Sequence, residues 1–184
     1  MIDNTFASPV NQNPAEFGID IILHSATKYM GGHSDILAGA VACSEAHMDK
    51  IWNKAKNLGG SLSDFSVWML ERSLKTMVLR VKQQNKNAKK LAKWLEQNGH
   101  VKAVYYPGLK THPDYELAKK QMSGFGGMLS FELSDELDAS AFMKELKLIK
   151  PSMSLAGVES TILSPTQTSH ALLSAEEREN QGIA

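Results

Sequence analysis

Lys28 follows two hydroxyl side chains, Ser25 and Thr27, and precedes Gly31-Gly32-His33-Ser34-Asp35. A lysine in such a place has a chemical use. Burial disfavours the charged ammonium, and the neutral amine condenses with an aldehyde to form a Schiff base. The two hydroxyls can donate to phosphate oxygens. An aldehyde that carries a phosphate, pyridoxal phosphate, meets both demands at once. On these residues alone a phosphate-binding turn and a surface lysine stay open as alternatives, because short motifs recur by chance.

Elements on either side must position that lysine. The run Ile19 to Leu23, broken only by Asp20, predicts a strand buried on both faces. Gly31-Gly32 predicts a turn, and Ile36 to Cys43 a second apolar run. Lys28 then stands at the mouth of a turn leaving a buried strand. In open α/β sheets, ligands bind beyond the carboxyl ends of strands. Two further segments draw notice. Met1 to Thr5 reads as the tail of a buried strand carrying Asp3, for which an Asx-turn is the simpler local reading. Ser154-Leu155-Ala156-Gly157 reads locally as a capped turn before a strand.

Ser25-Ala26-Thr27-Lys28-Tyr29 with Gly31-Gly32-His33-Ser34-Asp35 resembles the pyridoxal-phosphate lysine signature of the Cys/Met-metabolism enzymes. That family includes cystathionine γ-synthase, the cystathionine β- and γ-lyases, methionine γ-lyase and the homoserine sulfhydrylases. Further matching blocks are Asp3 to Pro9, Leu74-Lys75-Thr76, Tyr106-Pro107-Gly108, Gly124 to Met128 and Ser154 to Ser160, in the family's order. The resemblance is to the C-terminal half of such enzymes.

What the resemblance implies is specific. The fold would be α/β, a pyridoxal-phosphate-dependent transferase of fold type I. Residues 1–74 would be part of the large cofactor-binding domain with its mixed or parallel sheet, and 75–184 a truncated, smaller α+β domain entered through a long helix. Lys28 would anchor the cofactor and act as acid and base. Asp3 would pair with the ring nitrogen, Ser25 and Thr27 with the phosphate, and Ser154 with the substrate carboxylate. The activity would be trans-sulfuration by β/γ-elimination or γ-replacement on a small sulfur amino acid, in a cytoplasmic homo-oligomer, dimer or tetramer. Methionine γ-lyase or O-acylhomoserine sulfhydrylase chemistry is an alternative, as is a non-catalytic fragment or degenerate homologue that only associates with a partner chain. Members acting on cystathionine at the γ-position often carry a glutamate just before the loop serine. Met153 stands there, which leans away from strict cystathionine γ-cleavage. Ala156 stands where many members have glycine.

The rest of the chain reads as supports. Met48, Ile51, Trp52, Ala55 and Leu58 recur at helical spacing after a capping Ser44, and Gly59-Gly60 ends that helix. A second helical stretch starts at Ser61 to Asp64 and runs to Asn98, as one long helix or a kinked pair. Val81, Ala88, Leu91, Ala92 and Leu95 form its apolar face. Arg80, Lys82, Lys86, Lys89, Lys90 and Lys93 form a solvated basic face. Beyond it, Val101 to Tyr106 predicts a strand, Thr111 with Asp114 a capping pair, and Gly124 to Gly127 a flexible link. Met128 to Leu133 predicts a strand, Leu137 to Lys147 a helix, and Val158 to Leu163 a strand. His170 reads as a hydrogen-bonded structural histidine.

Composition narrows the classes. Twenty basic and twenty acidic residues balance, so no pull toward nucleic acid or an acidic membrane surface follows. The single cysteine, Cys43, reads as a small core residue in a reducing compartment. No apolar run is long enough to span a bilayer, and no metal-type Cys/His cluster is present in the sequence.

Overall fold

Short β-branched runs near the start of the chain pair as the centre of a three-stranded sheet. The computed structural model describes residues 1–183. Strand β1 (Ile2–Asp3) runs parallel to β2 (Ile21–Ser25), with Asp3 beside Leu23, and β3 (Gly39–Cys43) runs antiparallel along the other edge of β2. The sheet is mixed, in the order β1-β2-β3. Burial along β2 alternates rather than covering both faces: Ile22 and His24 are buried, while Ile21, Leu23 and Ser25 are half-buried. That is the signature of a sheet with one deep face and one partly covered face. Cys43, expected in the core, is half-buried at the end of β3. Between β1 and β2 the chain makes the short helix α1 (Ser8–Asn11), begun at Pro9, and a 3-10 turn at Pro14–Phe17.

Helix α2 (Glu45–Leu58) ends at Gly59, whose φ of 73° no β-carbon-bearing residue takes easily. Ser44 sits at its N-cap, but its hydroxyl meets His47 Nδ1 at 3.1 Å instead of a backbone N–H. Helix α3 (Asp64–Leu74) is capped by Ser63, which accepts the Ser66 N–H at 3.3 Å. The expected long helical stretch is a kinked pair: α3 stops at Leu74, and α4 (Met77–Glu96) resumes after Lys75-Thr76. The kink has an identifiable cause. Arg80, in the first turn of α4, donates Nη2–H to the Ser73 carbonyl at 3.0 Å and Nε–H to the Thr76 hydroxyl at 3.1 Å. The Ser73 carbonyl, which a continuous helix would pair with the Met77 N–H, instead accepts the Thr76 N–H at 3.2 Å together with the guanidinium.

Helix α4 is rich in strong helix formers and buries Val81, Ala88, Ala92 and Leu95. Leu91, expected with them, is 40% exposed. Ala88 and Ala92 pack on Tyr106 and Leu109, with Val104, Phe125 and Leu129 around them. Small alanines let the following strand β4 (Val101–Tyr105) lie close to the helix. β4 pairs antiparallel with β5 (Ser130–Leu133), and α5 (Tyr115–Gln121) lies between them in sequence. Thr111 and Asp114 do not cap α5: the Thr111 hydroxyl donates to Glu96 Oε1 at 2.6 Å, and Asp114 makes no side-chain cap bond.

Gly124 to Gly127 is not a loose link. The Tyr106 hydroxyl donates to the Gly126 carbonyl at 3.0 Å, and Phe125 stacks against Tyr115 and meets Tyr106 edge-on. Helix α6 (Ala139–Glu145) is shorter than expected and is capped by Asp138. The last strands, β6 (Lys150–Pro151) and β7 (Thr161–Ile162), form a separate parallel pair, and α7 (Ala175–Asn180) closes with a Ser174/Glu177 capping box. The strands beyond α4 form two two-stranded sheets, β4-β5 and β6-β7. His170 Nδ1 meets Ser169 Oγ at 2.8 Å.

Candidate active site

Lys28 lies in a tight turn directly after β2. Its N–H donates to the Ser25 carbonyl at 3.0 Å, and its carbonyl accepts the Gly32 N–H at 2.7 Å. The turn is thus closed at both ends by its own backbone, and Lys28 is half-buried within it. Among the described residues its ammonium has no ion pair. Ala26 and Tyr29 on either side are buried, which fixes the direction in which the lysine leaves the sheet.

The turn is clamped from outside by a residue the sequence reading placed on a wet face. Arg80 donates Nη1–H to the Tyr29 carbonyl at 2.9 Å and Nη2–H to the Met30 carbonyl at 3.4 Å. Its guanidinium occupies the space a β-carbon at Gly32 would need, and Gly32 has φ +73°. The second glycine of the pair is therefore required twice, by conformation and by the arginine. Burial lowers the Arg80 pKa from its ordinary value, yet guanidinium stays charged in proteins. Three carbonyl oxygens and the Thr76 hydroxyl satisfy it, with no carboxylate paired to it among the described residues.

Asp3 and Ser25 are joined through Thr5. The Thr5 N–H and hydroxyl donate to Asp3 Oδ1 at 2.9 and 2.6 Å, an Asx-turn with an added hydroxyl bond. The same hydroxyl accepts the Ser25 N–H at 2.7 Å. The Thr5 hydroxyl bond, then its N–H, holds the Asp3 carboxyl below its ordinary 3.8. Asp3 is therefore an exposed carboxylate at neutral pH with Oδ2 unpaired among the described residues. The buried His24 ring is nearby, and desolvation lowers its pKa from 6.5 against the opposing pull of Asp3.

The two expected phosphate hydroxyls differ. Ser25 Oγ has no hydrogen bond among the described residues. Thr27 Oγ accepts the Ala38 N–H at 2.9 Å and donates to the Ala38 carbonyl at 3.3 Å, tying the turn to the approach of β3. Its proton is held by a long bond.

The Ser154 loop reaches the same region from the far end of the chain. Gln84 on α4 donates Nε2–H to the Gly157 carbonyl at 2.8 Å and to the Ala156 carbonyl at 3.4 Å. A β-carbon at Gly157 would lie 2.9 Å from Ser34 Oγ, so the loop sits against the turn that follows Lys28. Ser154 is half-buried; its N–H donates to Ser152 Oγ at 3.3 Å and its carbonyl accepts the Thr161 hydroxyl at 3.0 Å. Its own hydroxyl is unpaired among the described residues. Ala156 takes φ +66°, the conformation in which glycine carries no penalty.

Sequence reasoning missed Thr5, Arg80, Gln84 and Tyr29. Tyr29 is buried, accepts the Gly127 N–H at 3.2 Å, and is pushed up from 10.0 by burial. A signal was present in α4: residues 80, 84, 88 and 92 recur every four positions, so polar Arg80 and Gln84 share a stripe with buried Ala88 and Ala92.

The donor set fits pyridoxal phosphate: an amine without a carboxylate partner, a hydroxyl without a partner, and an ionised carboxylate with one free oxygen. Among the described residues no cluster of three or more metal-ligating side chains exists, and no helix is long and apolar enough to cross a membrane.

Comparison with known proteins bears on this set. The family model described as "Cys/Met metabolism PLP-dependent enzyme" matches residues 1–184. The chain is 46% identical over 184 residues to a cystathionine beta-lyase of Lactococcus lactis subsp. cremoris (strain MG1363), covering 100% of this chain and 48% of that protein. It is 43% identical over 184 residues to a cystathionine gamma-lyase of Bacillus subtilis (strain 168), again 100% and 48%. In structure it matches cystathionine gamma-lyase from Lactobacillus plantarum complexed with L-serine, with a TM-score of 0.95 at 40% identity over 100% of this chain and 48% of that one. The chain thus spans about half the length of the relatives it matches.

Proposed function

The chain belongs to the Cys/Met-metabolism family of pyridoxal-phosphate-dependent enzymes, and on that premise we propose that it carries the cofactor lysine of a trans-sulfuration enzyme acting on a small sulfur amino acid. The observation that carries this is Lys28 in a closed turn at the carboxyl end of β2, with Asp3 and Ser25 joined beside it through Thr5.

Each residue has a role that its setting supports. Lys28 Nζ is the covalent anchor, and once released it is the base that takes the α-proton and returns it elsewhere. Asp3, already ionised, offers Oδ2 to the ring nitrogen while Thr5 holds Oδ1. Ser25 and Thr27 donate to the phosphate, and Thr27 gives up only a long bond to do so. Ser154 offers its hydroxyl to the substrate carboxylate. When bound, pyridoxal phosphate supplies an electron sink for the charge left on the α-carbon.

The substrate reading is C–S bond cleavage or formation of the cystathionine β-lyase or γ-synthase kind. Met153 is exposed and apolar, so it offers no carboxylate to a distal ammonium. The division at residue 75, a small C-terminal domain, a cytoplasmic setting and a homo-oligomer of two or four subunits belong to the same reading. The wide apolar exposure of α2 and α3 supports assembly.

The test is borohydride reduction of the protein with pyridoxal phosphate, followed by peptide mass analysis. A phosphopyridoxyl group on Lys28, absent in Lys28→Ala, is expected. A label on another lysine, retained in Lys28→Ala, overturns the assignment.

A further inference from the structure

Two polar side chains on α4 reach two different parts of the site. Arg80 holds the Lys28 turn through the Tyr29 and Met30 carbonyls. Gln84, one helical turn further on, holds the Ser154 loop through the Ala156 and Gly157 carbonyls. Residues four apart on a helix lie one above the other about 6 Å apart along the axis. Between them, Gly127 donates to the Tyr29 hydroxyl, and a β-carbon there would lie 3.1 Å from Gln84 Cβ and 3.2 Å from Tyr29 Oη. The turn, the loop and the helix therefore meet with no spare room.

Gln84 bears a cost for this. Its Oε1 is buried with no partner among the described residues. A buried acceptor left unpaired is unfavourable, so the amide is kept here for what its N–H groups do. Ala156 adds to this, since its left-handed backbone turns the carbonyl toward α4 at a conformational cost.

We propose that Gln84 is a positioning residue for substrate binding: with Arg80 as the fixed end, it sets the separation between the Lys28 turn and the Ser154 loop. This rests on the reading of Lys28 and Ser154 given above. Two functions then divide between two neighbours. Arg80 governs the presentation of the lysine, and Gln84 governs the seat of the amino-acid carboxylate, although neither touches substrate.

Gln84→Glu is the informative variant, because it keeps the shape and removes both donors. In the pyridoxal-phosphate-loaded protein, two quantities are measured: the phosphopyridoxyl label on Lys28 after borohydride, and the half-saturating concentration of L-serine from the change in cofactor absorbance. Gln84→Glu is expected to keep the Lys28 label at the wild-type level and to raise half-saturation by about tenfold or more, since the bonds to both carbonyls are lost and a carboxylate faces them instead. Arg80→Lys is expected to do the reverse, lowering the label with less change in half-saturation. Unchanged half-saturation in Gln84→Glu, or loss of label and serine binding together, overturns the inference. Absence of a Lys28 label in the wild-type protein instead overturns the underlying reading, and the inference with it.

Discussion

The Thr5 hydroxyl accepts the Ser25 N–H at 2.7 Å and gives its own proton to Asp3 at 2.6 Å. One side chain thus ties the carboxylate on β1 to the last residue of β2, just where the lysine turn begins. Thr5→Val should leave the Ser25 N–H unpaired and Asp3 Oδ1 with only the backbone N–H of residue 5, at about 1–3 kcal/mol in unfolding free energy. Thr5→Ser should recover most of it. The same valine variant should let the Asp3 carboxyl titrate higher, which NMR of its side-chain carbon reports. An unchanged Asp3 titration would show that Thr5 does not hold it down.

Asp3→Asn separates charge from structure. The amide oxygen can still accept both Thr5 bonds, so thermal stability should move little. The negative charge beside the ring nitrogen disappears. Cofactor should still bind in the assembled enzyme, while exchange of a substrate α-proton into deuterated buffer slows by orders of magnitude. Near-normal exchange would mean that the ring nitrogen has a different partner.

Much of this site is legible in sequence because it is local. Ser25, Thr27, Lys28 and the glycine pair lie within eight residues, and their types alone dictate a strand, a turn and a lysine at its mouth. The supports are not legible, because their partners lie far away in sequence. Arg80 bonds residues 29 and 30, and Gln84 bonds residues 156 and 157. On a helix with many lysines, an inward arginine and glutamine look like part of the wet side; the four-residue recurrence with Ala88 and Ala92 is the signal that separates them. Thr111 failed as a cap for a similar reason, since its hydroxyl found Glu96 across the fold. Single-residue cues survived where chain neighbours complete them, as with Ser63 on α3 and Gly59 after α2.

His24 makes stability depend on pH. Its folded pKa is lowered by burial from 6.5. Above that value the ring is neutral in both the folded and unfolded chains, and its contribution is fully present. As pH falls, the unfolded chain takes up the proton first, and stability is lost until the folded ring titrates. Melting temperature should therefore decline from pH 7 toward pH 5, and His24→Leu should remove part of that decline. Asp3 acts in the same direction but in a lower window, below its ordinary 3.8. Equal slopes for His24→Leu and wild type between pH 7 and 5 would assign the decline to other groups.

Ala156 at φ +66° carries a penalty of about 1–2 kcal/mol for the left-handed conformation. Ala156→Gly removes that penalty but gives the unfolded chain more freedom, by about 0.4–1 kcal/mol. A net gain of about 0.5–1 kcal/mol is expected in denaturant melts. Gly157→Ala should do the opposite, because its β-carbon would press on Ser34 Oγ and Glu159 Oε2. A destabilised Ala156→Gly would show that the loop does not hold that conformation in solution.

The exposed apolar side chains of α2, α3 and α4 include every tryptophan in the chain: Trp52, Trp68 and Trp94 are 60%, 56% and 59% exposed. Indole emission is sensitive to the polarity around the ring. The folded chain by itself should therefore fluoresce like indole in water, and denaturant should shift its maximum hardly at all. The usual optical record of unfolding is silent here, and the same property turns those rings into reporters of another event. A blue shift that grows with protein concentration would come from surfaces closing over α2 and α3, with the fold itself unchanged.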